Sequence, residues 1–232
     1  MKKVKTSAII CVYNEEKTIE EVINIVTDYF FNEVIVVNDG SSDKTDEIVR
    51  KQIDLHNLKY ISLPENKGKG YAMATGVENA SGEIITFIDA DLSNLTEEHF
   101  SQLLTPVFMG EADMVLGQAN ETLINYSINP FKSFTGERSL LKKDILPIVP
   151  KMKHSRFGVE TLINLYYQSE GKRVKYVMLD GLKHPTKFDK VSTHQAMKEL
   201  IKEGHQIAVT AFKNFDLVTK RIKNSISKNI KI

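Results

Sequence analysis

Tryptophan is absent from the 232 residues and cysteine occurs once. A single thiol closes no internal disulfide and builds no cysteine-rich metal site. Cys11 lies in an apolar stretch, where it reads as a small buried hydrophobe. An excess of one charge is also missing. The formal net charge is +1, which gives no global field for nucleic acid, so none is expected as a partner. No apolar run approaches the ~20 residues that span a bilayer, and no signal peptide opens the sequence. Internal repeats and low-complexity segments are lacking too. These absences point to a reducing, cytoplasmic setting. What is present is 41% hydrophobic residues, enough for one large core, with room for a C-terminal extension.

The chain is organised around Glu83–Asp91. Five of the six residues from Ile84 to Asp89 are apolar or β-branched, the composition of a strand buried on both faces of a parallel sheet. The run ends in Asp89 and Asp91, which an extended backbone turns to the same side. Two carboxylates at the carboxyl end of a buried strand are costly unless paired or bound to a cation.

Similar punctuation precedes it. Thr6–Val12 reads as a first strand, ending at Tyr13-Asn14-Glu15-Glu16. Thr18 with Glu21 has the spacing of a capping box, and Ile19, Val22, Ile23 and Val26 follow at helical spacing. Glu33–Val37 reads as a strand ending in Asn38-Asp39-Gly40-Ser41-Ser42-Asp43. A helix to about Asp54 and a strand over Lys59–Leu63 follow. Asn66-Lys67-Gly68-Lys69-Gly70 then opens a helix running to Asn79. The alternation predicts a mostly parallel, doubly wound α/β sheet with helices on both faces. Its polar loops fall on one edge, where such sheets bind ligands.

Farther on, Asn94 with Glu97 has the spacing of a helix cap, and Ala112–Gly117 reads as a strand. Residues 119–135 show no period and have the length of a functional loop such as a lid. Gly136–Leu146 reads as a short helix, Val159–Ser169 as a longer one, Arg173–Leu179 as a strand, and the chain from Thr193 onward as helical. The expected division is one main domain over 1–190, in two halves (1–118 and 119–190), followed by a helical extension over 191–232.

The chemistry of the loops is specific. Glycines at 68 and 70 let the backbone approach a ligand, the lysines add positive charge, and a helix N-terminus favours anions. The pattern is neither a Walker A loop nor a dinucleotide fingerprint. Asp89 and Asp91 offer hard oxygen ligands suited to Mg²⁺ or Mn²⁺, with substrate phosphates completing the shell.

Val12-Tyr13-Asn14-Glu15-Glu16, Val37–Asp43, Asn66–Gly70 and Asp89-Ala90-Asp91, in this order, resemble the successive signatures of the family 2 glycosyltransferases. The likeness extends to the glucosyl-3-phosphoglycerate synthases and the dolichyl-phosphate mannosyltransferases. The resemblance implies a GT-A fold and transfer of a hexose from a nucleotide sugar, UDP-linked first and GDP-mannose second, to an acceptor hydroxyl or phosphate. By the same resemblance Tyr13, Asn14 and Glu15 hold the nucleoside, Asp39 the base, Lys69 the diphosphate or donor sugar, and Asp89 the ribose or sugar. Asp91 becomes the metal ligand, joined by His184. Phe134–Arg138 resembles the turn under the acceptor, with Glu137 facing the reaction and Gly136 and Arg138 beside it. Phe157-Gly158-Val159-Glu160 resembles a helix start whose glutamate orients or deprotonates the acceptor, and Arg156 and Lys187 would meet an acceptor phosphate. The resemblance leaves open inversion or retention, and a small phosphorylated or a lipid-linked acceptor. A homodimer stays open as well. The basic, amphipathic tail over 213–232 adds the alternative of peripheral contact with the cytoplasmic face of a membrane. Two other readings compete: a sugar-1-phosphate nucleotidylyltransferase, which would need an arginine-bearing glycine loop after the first strand, and a non-enzymatic nucleotide-sugar-binding module.

Overall fold

The computed structural model describes residues 4–56, 58–119, 136–183, 208–210 and 212–229. Its strands are β1 (Thr6–Val12), β2 (Glu33–Asn38), β3 (Lys59–Ser62), β4 (Ile84–Asp89), β5 (Met114–Ala119), β6 (Arg138–Leu141) and β7 (Val174–Leu179). They form one sheet in the order β3-β2-β1-β4-β6-β5-β7. The β3-β2-β1-β4 half is parallel throughout, and β5 and β7 are parallel to each other. β6 alone runs against its neighbours, between β4 and β5. The sheet is therefore mostly parallel but mixed.

Alternation along the strands feeds two cores. Ala8, Ile10 and Val12 of β1 and Ile84 and Ile88 of β4 pack on one face. The helices covering that face are α1 (Ile19–Asp28), α2 (Thr45–His56) and α4 (Glu97–Phe108), through residues such as Val22, Val49 and Leu103. Ile9, Ile85 and Phe87 point the other way. They meet α3 (Lys69–Asn79), α5 (Lys142–Ile145), α6 (Val149–Met152) and α7 (Val159–Ser169). Strands with both faces covered explain the near-continuous apolar runs. At the end of the sheet away from the polar loops, Glu33 accepts hydrogen bonds from Ser7 and from the Ser81 and Gly82 amides, fixing the turn into β4.

The C-terminal helix α8 (Phe215–Asn229) packs against α7. Leu217 is buried there, Lys220 pairs with Glu170 at 2.8 Å, and Asn224 donates to the Ser169 carbonyl at 2.7 Å.

Three local expectations change. Gly136–Leu146 is not one helix but β6 followed by α5. β6 carries Arg138 and Ser139, both buried, so its position between two strands leaves no apolar run to read. Ser139 Oγ shares a 2.7 Å hydrogen bond with Thr86 on β4. Thr18 does not cap α1; its hydroxyl donates to the Ala90 carbonyl at 2.8 Å, tying the helix start to the Asp89-Ala90-Asp91 turn. The cap of α4 is Thr96 with His99, not Asn94 with Glu97. His99 Nδ1 accepts from the Thr96 amide at 3.2 Å, which leaves Nε2 to donate to the Asp180 carbonyl at 3.0 Å.

Candidate functional site

The C-terminal ends of β1, β2 and β4 lie side by side, with Cys11 opposite Asp89 and Val12 opposite Asn38 in the ladders. The loops after β1 and β2 are latched together. Asn14, at φ 55, donates its amide to Ser41 Oγ at 3.0 Å and accepts from the Ser42 amide at 2.8 Å. Asparagine tolerates this left-handed backbone better than most residues. The Glu15 amide donates to Thr45 Oγ1 at 3.0 Å. Asn14 and Glu15 thus help to build the rim, and Tyr13 projects from it, 45% exposed.

Asp39 is buried and receives the backbone N–H groups of Lys67 and Gly68, each at 2.8 Å. Burial raises its carboxyl above the ordinary value, against the pull of those two amides and of Arg156. The contact ties the β2 loop to the glycine loop that opens α3. Gly68 stands at φ 96, and a Cβ there would meet the Arg156 side chain at 2.9 Å. Arg156 therefore lies beside the Asp39 and Gly68 end of the cleft.

Lys69, the first residue of α3, is the centre of the site. Its ammonium lies 2.8 Å from Asp89 Oδ1 and 2.7 Å from Glu160 Oε1. Burial works against this cation, but Asp89 and Glu160 outweigh it and hold Lys69 well above the usual lysine range. The Asp89 carboxyl is raised to about 6: burial pushes it up, Lys69 pulls it down, and Glu137, Glu160 and Asp91 add to the rise. For Glu160 burial also favours the neutral form, yet Lys69 and Arg138 prevail and its carboxyl sits below the ordinary value. Burial pushes the neighbouring Cys11 thiol up, so it stays neutral beside the charged groups.

Arg138 is wholly buried and donates to Asn164 Oδ1 at 3.2 Å. Asn164 stands one helical turn after Glu160 on α7, on the same face. Expected at the acceptor, Arg138 instead supplies positive charge beneath Glu160, Asp89 and Glu137. Glu137 is likewise buried, at 1% exposure. Gly136 faces the Asp89 carboxylate: a Cβ there would stand 2.0 Å from Oδ2 and 2.3 Å from Cγ. Gly136→Ala is expected to displace Asp89, costing about 1–3 kcal/mol as an overpacking substitution. Urea unfolding checks this, and an unchanged stability would show that Asp89 yields freely.

Asp91 is half-buried at the end of β4. Among the described residues no group of three or more His, Cys, Asp or Glu side chains converges to hold a metal unaided. Oxygen donors at this edge suit Mg²⁺ or Mn²⁺, which commonly bind one or two carboxylates and take their remaining ligands from phosphates and water. The residues present fit such an ion. His184, Lys187, the 120–135 part of the suggested lid and the Phe134-Thr135 part of the acceptor turn lie outside the described residues.

Four motif loops on one edge of a mostly parallel sheet, with a half-buried lysine between two carboxylates, set the frame for comparison with known proteins. The family model described as glycosyl transferase family 2 matches residues 7–148, well over half of the chain. The chain belongs to glycosyl transferase family 2. Among curated family 2 relatives, the poly-beta-1,6-N-acetyl-D-glucosamine synthase of Staphylococcus epidermidis is 37% identical over 87 residues, 37% of this chain and 21% of that protein. The same-named synthase of Staphylococcus aureus (strain COL) is 37% identical over 81 residues, 34% of this chain and 20% of that protein. The match thus spans about a fifth of the length of these relatives. Among solved structures, glucosyl-3-phosphoglycerate synthase from Mycobacterium tuberculosis, in complex with Mn²⁺, uridine diphosphate and phosphoglyceric acid, superposes with a TM-score of 0.72. Identity there is 20%, over 90% of this chain and 78% of that one. The same synthase with Mg²⁺ and uridine diphosphate gives a TM-score of 0.65 at 20% identity, covering 86% of this chain and 79% of that one. These likenesses establish a GT-A-like fold for this family 2 chain.

Several residues of the site escaped sequence reasoning. Ser41 and Thr45 join the rim loops, yet hydroxyls in a polar loop carry no special signal. Gly70, expected to let a ligand approach, is instead required by packing, since a Cβ there would come 2.3 Å from the Met152 carbonyl. Asn164, a buried amide in an apolar helix one turn past Glu160, was the missed clue to Arg138.

Proposed function

We propose that this family 2 glycosyltransferase moves a hexose from a UDP-sugar to an acceptor hydroxyl or phosphate oxygen with the help of Mg²⁺ or Mn²⁺, GDP-mannose being the second choice of donor. The observation that carries the reading is the Lys69 ammonium held between Asp89 and Glu160 at the start of α3. There the lysine charge and the helix N-terminus act together on an incoming diphosphate. Asp39 and the latched Asn14 and Glu15 loop provide a nucleoside rim on the same edge. The uridine diphosphate, Mn²⁺ or Mg²⁺, and phosphoglyceric acid in the Mycobacterium tuberculosis complexes support a uridine donor, a divalent ion and a small phosphorylated acceptor.

Asp91 would hold the divalent cation, which when bound would supply stabilisation of charge on the departing diphosphate. Asp89 and Lys69 position the donor. Glu160 orients the acceptor hydroxyl and takes its proton. Its side chain keeps 14% of its surface open, whereas Glu137 is buried, so the role falls to Glu160. Lys69 keeps Glu160 ionised in the free protein; as the diphosphate draws the ammonium away, Glu160 becomes more basic at the moment it is needed.

Incubation with UDP-glucose, UDP-N-acetylglucosamine or GDP-mannose, Mn²⁺ and 3-phosphoglycerate tests the reading. UDP released in step with glycosylated acceptor supports it. Pyrophosphate formed from UTP and a sugar 1-phosphate, with no sugar transfer, would overturn it in favour of a nucleotidylyltransferase. Asp91→Ala is expected to lower metal-dependent turnover roughly a hundredfold or more, given the several kcal/mol that a cation supplies to a departing phosphate. Unchanged Mn²⁺ dependence of turnover in that variant would remove Asp91 from the metal site.

A further inference from the structure

Helix α8 has two apolar sides, and its own domain covers one of them. Leu217, 7% exposed, and the half-buried Val218 pack on the core beside α7, with Asn224 and Lys220 bonded to the end of that helix. On the side turned away, Phe215 and Ile222 are 62% and 52% exposed. Seven residues is two helical turns, so these side chains form one stripe, with Thr219 between them. Phe212, just upstream, is 82% exposed. A helix serving only as a cover for its own domain carries polar residues on its outer face.

The charge beside this stripe is one-sided. Lys213, Arg221 and Lys223 are exposed. Residues 213–232 hold six basic residues against one acidic, although the whole chain carries a net charge of only +1. We propose that this stripe docks on an anionic phospholipid surface, with α8 lying in the interfacial plane, Phe212, Phe215 and Ile222 entering the acyl boundary and the basic flanks meeting the headgroups. A second copy of the chain would also cover the apolar side chains. It would, however, bring two basic flanks together, and like charges facing across an interface are unfavourable. An anionic bilayer satisfies the apolar stripe and the charge at once. The proposal goes beyond sugar transfer and does not depend on it.

Flotation of the full chain on a density gradient tests it, with vesicles of phosphatidylcholine alone and of phosphatidylcholine mixed with phosphatidylglycerol. At low salt the protein is expected to rise with the mixed vesicles, to stay below with phosphatidylcholine alone, and to be released by high salt. The double variant Phe215→Ser/Ile222→Ser is expected to lose tenfold or more in partitioning, and Arg221→Glu/Lys223→Glu to lose a similar factor. Circular dichroism matching the wild type in both confirms an intact fold. Failure to float with anionic vesicles would overturn the proposal, as would flotation unaffected by Phe215→Ser/Ile222→Ser. A concentration-dependent dimer abolished by the same substitutions would overturn it as well, in favour of a second copy.

Discussion

Lys69→Met is expected to destabilise the protein by about 3 kcal/mol at neutral pH and to remove detectable UDP binding. Breaking a buried ion pair by deleting one partner typically costs about 3–5 kcal/mol, because the other charge stays buried. The estimate sits at the low end because the Lys69, Asp89 and Glu160 side chains keep 20%, 22% and 14% of their surface in solvent. The loss carries a pH signature. In the wild type Glu160 titrates below its ordinary 4.5, so it adds stability above that pH and loses it as pH falls. Asp89, raised from 3.8 to about 6, costs stability as pH rises through that window. Without Lys69 both carboxyls move up. The folded variant then holds protons that the unfolded chain has released, and its stability falls as pH rises. Urea unfolding at about pH 5 and pH 8 checks this. A penalty clearly larger at the higher pH is expected, and an equal penalty at both would mean that Lys69 does not set the charge state of the two acids.

Glu160→Gln is expected to lower kcat by roughly 10²–10⁴, the usual contribution of general acid–base catalysis, and to leave UDP affinity within about twofold. Glutamine keeps the length of the side chain and a carbonyl to accept from Lys69, so donor binding is spared while the proton acceptor is lost. Single-turnover kinetics with saturating donor separates the two. A variant with kcat close to wild type would return the proton-accepting role to another group.

These expectations rest on contacts that the sequence disclosed unevenly. β1, β2 and β4 were legible because each is an apolar run closed by polar residues, and β6 was hidden because Arg138 and Ser139 are buried by neighbouring strands rather than by an apolar sequence pattern. Asp39, Lys69, Asp89 and Asp91 could be read from their motifs and their common sheet edge. The Lys69–Glu160 pair could not, since 91 positions separate its members and no local period links a βα loop to a helix start so far away. For the same reason Arg138 was expected at the acceptor. Its burial depends on α7 presenting Asn164 to β6, a tertiary fact. Thr18 and Asn94 show the opposite failure: each has the local spacing of a cap, and tertiary partners at Ala90 and Gly181 take their side chains instead.

Calorimetric titration of UDP into the protein, with Mn²⁺ and again with a chelator, tests the central claim most directly. The account predicts binding at least tenfold tighter with the metal than without, and tighter than GDP under the same conditions. UDP that fails to bind, or that binds equally well without a divalent ion, would contradict a metal-assisted nucleotide-sugar site at the ends of β1, β2 and β4.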